Sequence, residues 1–142
     1  MIVRKLGSTI NIPATFAPDV INLQLHHLVT QTKKRGFIVF TRGDYYVQCA
    51  FYKELDPSAI VVEAISNAYL LPFGRTPLSR LQIRHLEELQ FTQPSPTENF
   101  MMIADINSED DLRGLRTLIW HILDNVLNCI PGSETEVSGQ CR

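Results

Sequence analysis

Residues 37–67, FIVFTRGDYYVQCAFYKELDPSAIVVEAISN, decide the fold, because they read as three antiparallel strands in succession. Residues 37–42 are β-branched and aromatic, and Gly43-Asp44 follows as a two-residue turn. Glycine at the first central position of a primed turn takes positive φ without a Cβ clash. Residues 45–54 form the second strand. Leu55-Asp56-Pro57-Ser58 breaks it, since proline cannot donate to a ladder and presets a turn. Residues 59–67 form the third. The turns predict a register in which Arg42 faces Tyr45, Val39 faces Gln48, Glu54 faces Ala59, Ala50 faces Glu63 and Tyr46 faces Asn67.

Side chains alternate along a strand, so each face can be spelled out. One carries Ile38, Phe40, Val47, Cys49, Phe51, Ile60, Val62 and Ala64 and is almost wholly apolar. The other carries Phe37, Val39, Tyr46, Gln48, Tyr52, Val61, Glu63, Ile65 and Asn67. It is too apolar for plain solvent surface and too polar for plain core. Either the chain's own termini and loops cover it, or another polypeptide does. Spacing leaves both open.

Outward from the meander, Pro18-Asp19 opens a helix with proline in the first turn and a carboxylate at the positive end of the dipole. Ile21, Leu25, Leu28, Val29 and Thr32 make its buried stripe, and Gly36 ends it. Past the strands, Leu70-Leu71-Pro72-Phe73 is an unusually apolar loop that is expected to fold over the mixed face. Ser79 with Gln82 forms a capping box and Leu78 with Ile83 a hydrophobic staple. They place a helix over about 80–90 with Leu81, His85, Leu86 and Leu89 inward. Gln90 stands where glycine would be the comfortable left-handed cap. Residues 100–106 (FMMIADI) make a fourth strand. Ser108 and three acidic residues start the longest helix, about 109–129, whose apolar stripe is wide enough to touch more than one element. Residues 1–17 read as an N-terminal extension along the surface, 18–130 as a single α+β domain, and 131–142 as a disordered polar tail.

Composition narrows the function. Charged residues are 20% and hydrophobic residues 44% of 142, as in a soluble globular domain. A net charge of −2 and the lack of a basic face argue against a nucleic-acid partner. No apolar run reaches the ~20 residues of a membrane helix. The N-terminus lacks the apolar core of a secretion signal. Cys49, Cys129 and Cys141 are odd in number and without CxxC spacing, which reads as reduced thiols in a cytoplasmic protein.

Motifs for catalysis are missing. There is no phosphate-binding glycine loop, and Ser66 has no nucleophile-elbow setting. His26 and His27 point about 100° apart on a helix and cannot chelate together. His85 and Glu88 are one isolated pair, His121 sits on the polar side of the last helix, and nothing calls for a metal or cofactor. Glu63 and Asp105 are not brought together by any pattern.

Three groups of residues then recur in order: Tyr46-Val47-Gln48-Cys49-Ala50; Glu63-Ala64-Ile65-Ser66-Asn67-Ala68-Tyr69-Leu70; and Leu86, Leu89, Phe91 and Pro94 followed by Asn99-Phe100. Together they resemble the bacterial type III secretion chaperone-like family of small peptide-binding domains, the TY-Chap and YbjN-like group, over residues 20–128. Gln90 replaces the glycine usual before the aromatic, and Cys49 replaces a larger apolar residue. The resemblance implies a secretion-chaperone-like α-β-β-β-α-β-α sandwich, with flanking helices on a twisted antiparallel sheet. It also implies a catalytically silent homodimer that holds a protein or peptide partner in extended form. On this expectation Val39, Tyr46, Tyr52 and Ile65 supply apolar contacts, while Gln48, Glu63 and Asn67 supply hydrogen bonds. Strand addition at an open sheet edge is the expected mode. The rivals are an adaptor that docks one folded protein, and a small enzyme using Glu63 or Cys49.

Overall fold

The computed structural model describes residues 2–5, 8–11, 17–127 and 136–141, with side-chain environments from residue 19 to 127. In chain order the elements are β1 (Ile2–Lys5), β2 (Ser8–Asn11), α1 (Ala17–Gln31), β3 (Arg35–Arg42), β4 (Tyr45–Tyr52), β5 (Ala59–Ala64), α2 (Asn67–Leu70), α3 (Arg80–Glu88), β6 (Phe100–Asp105), α4 (Glu109–His121) and β7 (Glu136–Cys141). A 3-10 turn, Leu71–Phe73, follows α2, and a π-helical turn, Ile122–Val126, follows α4. The architecture is α+β. Strands β3 to β6 form the expected antiparallel sheet with helices packed against it.

The sheet is wider than that meander. Its order is β2-β1-β7-β3-β4-β5-β6, so β7 lies against β3 and β1 lies parallel to β7. Two expectations are corrected here. Residues 2–5 and 8–11 of the supposed surface extension form an antiparallel pair, and residues 136–141 of the supposed tail form a strand. These segments carry little apolar alternation, and their pairing is with chain far away in sequence. Residues 131–135 and 142 of that tail, and the end of the expected last helix at 128–130, lie outside the described residues.

Gly43 has φ 57°, as the first central residue of a primed hairpin turn requires. Arg42 therefore faces Tyr45 and Val39 faces Gln48, as read from the sequence. The second turn is longer than four residues. Both Leu55 and Asp56 donate their amides to the Tyr52 carbonyl, and 53–58 form the connection. The register shifts by two: Glu63 faces Gln48, and Ala50 faces Val61. A two-residue shift preserves alternation, so each strand residue stays on its face.

The apolar face is the core. Ile38, Phe40, Val47, Cys49, Phe51, Ile60, Val62 and Ala64 are all buried, beneath Ile21, Leu25 and Leu28 of α1, Leu86 of α3, and Leu112, Leu115 and Ile119 of α4. Arg42 ends this face. It is buried with its guanidinium over the Trp120 ring, 4.4 Å from the centroid, and its Nη1 donates to Asp124 Oδ1 at 3.1 Å. The π-helical turn presents Asp124 to it. Its signature is the bond from the Leu127 amide to the Ile122 carbonyl, 2.8 Å.

Helix ends follow local chemistry. Ser79 Oγ accepts the Gln82 amide at 3.2 Å, and Gln82 Oε1 accepts the Ser79 amide at 2.8 Å, completing the capping box. Ser108 Oγ accepts the Asp111 amide, with Glu109, Asp110 and Asp111 in the first turn of α4. Past α3, Gln90 takes φ 74°, the left-handed conformation a glycine adopts freely. Three local expectations fail. Gly36 lies inside β3 and not at a helix end, because α1 stops at Gln31. Leu81 is exposed, since it lies about 140° round the helix from buried Leu86. The α4 helix gives way to the π-helical turn at Ile122.

Candidate functional site

The helices cover one face of the sheet. The opposite face of β3 to β6 is built from Arg35, Phe37, Val39 and Thr41; Tyr46, Gln48, Ala50 and Tyr52; Ala59, Val61 and Glu63; and Met101, Ile103 and Asp105. Of these only Ala50 is buried. Phe37 is 38% exposed, Tyr52 40% and Ile103 68%, large apolar groups left in water. Among the described residues, nothing seals this face.

Register arranges the face in rows that cross the strands. One row runs Phe37, Ala50, Val61, Ile103 and is entirely apolar, with the small alanine making a dip between larger neighbours. The adjacent row runs Val39, Gln48, Glu63, Met101, so an amide and a carboxylate lie side by side at its centre. Three strand intervals of about 4.8 Å make each row roughly 14 Å wide. That is an apolar strip beside a polar pair, able to receive side chains and to hydrogen-bond a backbone.

The expected binding residues divide. Val39, Gln48, Tyr52 and Glu63 lie on this open face. Tyr46 lies at its end and is half-buried, its hydroxyl accepting a hydrogen bond from Asn99 Nδ2 at 2.8 Å. Burial pushes the Tyr46 phenol above its ordinary range; the Asn99 bond opposes that shift and the Glu63 charge adds to it. Ile65 and Asn67 are not on the face. Strand β5 ends at Ala64, because Asn99 Oδ1 takes the Ser66 amide at 3.0 Å and Ser66 Oγ donates to the Glu98 carbonyl at 2.8 Å. The chain turns there into α2. Ile65 drops into the core, and Asn67 bonds the backbone of Leu78 through Oδ1, at 2.6 Å, and Nδ2.

Phe37 and Val61 were on the face by alternation without being named as binding residues. Met101 and Ile103 were missed because 100–106 reads as one apolar run. Its period of two (Met101, Ile103, Asp105 on one side; Phe100, Met102, Ala104 on the other) was available in the residues themselves.

Edge addition is narrower than expected. Strand β7 occupies the β3 side. At β6, Met101 exchanges both backbone bonds with Thr92, at 2.8 and 2.7 Å. By alternation the outward amides and carbonyls that remain belong to Ile103 and Asp105. The apolar loop after β5 does not bury its own large side chains: Tyr69, Leu71 and Phe73 are exposed, and only Leu70 is buried.

The residues considered for catalysis have structural places. Cys49 is fully buried, and that burial pushes its thiol far above the ordinary value. The Ser66 hydroxyl is committed to Glu98. Glu63 and Asp105 stand four residues apart along β5 and β6, roughly 13 Å. His26 pairs with Glu109 at 3.2 Å, joining α1 to α4.

On the helix side, a cleft of about 550 Å³ lies between α3 and the π-helical turn, lined by Tyr45, Ser79, Gln82, His85 and Asn125 among others. Tyr45 Oη donates to the Thr76 carbonyl and Gln82 Nε2 to that of Val126. His85, part of that wall, meets His121 of α4, a contact that no local pattern encodes. Among the described residues no helix is long and apolar enough to cross a membrane. No family model matches the chain, and no curated protein or solved structure matches it either.

Proposed function

We propose that this protein binds an extended polypeptide segment across the open face of its sheet, as a homodimer and without catalysing a reaction. One observation carries the reading: Phe37, Tyr52 and Ile103 stand in water on a sheet face that no described element covers, beside the Gln48 and Glu63 pair. A contiguous exposed apolar surface rimmed by polar groups is the ordinary mark of an interaction site. The mixture suits a polypeptide, whose side chains need apolar contact and whose backbone needs hydrogen-bonding partners. The resemblance to the secretion-chaperone-like family points the same way and supplies the homodimer.

The test is fluorescence anisotropy with labelled unfolded peptides, comparing the wild type with Phe37→Ser combined with Tyr52→Ser. Loss of at least tenfold in affinity with unchanged thermal stability supports the proposal; equal affinities remove the face from consideration. Slowed aggregation of an unrelated unfolded client separates chain-holding from docking of one folded partner. Light scattering reads the dimer.

A further inference from the structure

We infer that His85 and His121 form a binding site for a divalent transition-metal ion of the zinc type, beside the cleft between α3 and the π-helical turn. Their Nε2 atoms are 3.4 Å apart, and their ring centres 5.3 Å apart with planes at 76°. Two imidazole nitrogens at about 2.0–2.1 Å from one tetrahedral Zn²⁺ stand about 3.3–3.4 Å from each other. Rings aimed at such an ion have centres about 5.2 Å apart, whereas a linear N–H···N bond of the same length would put them about 5.7 Å apart. The observed spacing, about 0.4 Å shorter than that of the linear bond, fits two nitrogens turned toward one point. It is also long for a direct hydrogen bond.

Asn125 supplies the support such a ligand needs. Its side-chain amide lies 3.2 Å from His121 Nδ1, one helical turn on from the ring. In the tautomer in which Asn125 Nδ2 donates to Nδ1, His121 carries its proton on Nε2, facing His85. On binding, that proton moves to Nδ1 and the amide turns over so that its oxygen accepts it. The Nε2 lone pair is then free for the ion. No third His, Cys, Asp or Glu among the described residues joins the pair. Water completes the coordination from the cleft, where His85 is part of the wall. The ion would clip the C-terminal end of α3 to that of α4, adding to the bond by which Gln82, in the first turn of α3, reaches the Val126 carbonyl in the π-helical turn.

The test uses Zn²⁺ alone, titrated into the full chain carrying Cys129→Ser and Cys141→Ser so that thiols do not compete. Calorimetry is expected to show one saturable site, weakened at least tenfold by either His85→Gln or His121→Gln and by a smaller factor in Asn125→Ala. Imidazole proton signals of His85 and His121 in the unsubstituted chain are expected to shift together during the titration, which reads the site without altering it. Binding that survives both histidine substitutions overturns the inference, as do histidine signals unmoved at millimolar Zn²⁺.

Discussion

Replacing Ile103 by threonine separates recognition from stability. Ile103 lies on the edge strand β6 with 68% of its surface in water, so the folded state gains little from its side chain. Threonine keeps the β-branch that suits a strand, and the change should move stability by no more than about 0.5 kcal/mol. Binding is another matter. A guest covering the apolar row would bury the two carbon groups that threonine lacks, each worth about 0.8 kcal/mol when fully covered. Scaled to the exposed fraction, that is about 1 kcal/mol, and an unpartnered hydroxyl under the guest adds roughly another 0.5–1 kcal/mol. The sum, about 1.5–2 kcal/mol, corresponds to a ~10- to 30-fold weaker Kd. Anisotropy titration of a labelled unfolded peptide measures it, with urea unfolding as the stability control. Leu86→Ala, wholly buried, should lose about 2–5 kcal/mol of stability. An Ile103→Thr protein that binds within twofold of wild type, or that is destabilised like the core variant, would refute this reasoning.

Three further outcomes are expected. Gln90→Gly should stabilise the fold by about 0.5–1 kcal/mol in urea unfolding, since it relieves a left-handed residue at the cost of a freer unfolded chain. The Tyr46 phenol has its pKa raised in the folded state, so the folded protein holds that proton more tightly. Its contribution is therefore intact below the unfolded value near 10 and lost as pH rises through the folded one, and ultraviolet titration should show one late tyrosine, later still in Asn99→Ala. Cys49 should resist alkylation in the native state and react once urea unfolds the chain, as peptide mass mapping would show.

The inner and outer faces of β3 to β5 were legible because side-chain alternation has period two and survives a two-residue error in the β4–β5 turn. The Ser79–Gln82 box and the strain at Gln90 were legible because each depends on a few adjacent residues. Strands β1, β2 and β7 were not: they are four to six residues long, and their hydrogen bonds come from chain distant in sequence. Ile65 and Asn67 were misplaced because Asn99, more than thirty residues on, dictates where β5 stops. The His85–His121 contact depends on how α3 packs near the end of α4, which no local pattern encodes.

The central claim is that the face of β3 to β6 turned away from the helices receives another polypeptide. Its most direct measurement is a methyl-resolved NMR titration with an unfolded polypeptide. Signals of Val39, Val61, Met101 and Ile103 should shift and saturate together, while those of buried Leu25 and Leu112 stay in place. Shifts confined to Leu71 and Leu81, with the sheet methyls silent at saturation, would contradict it.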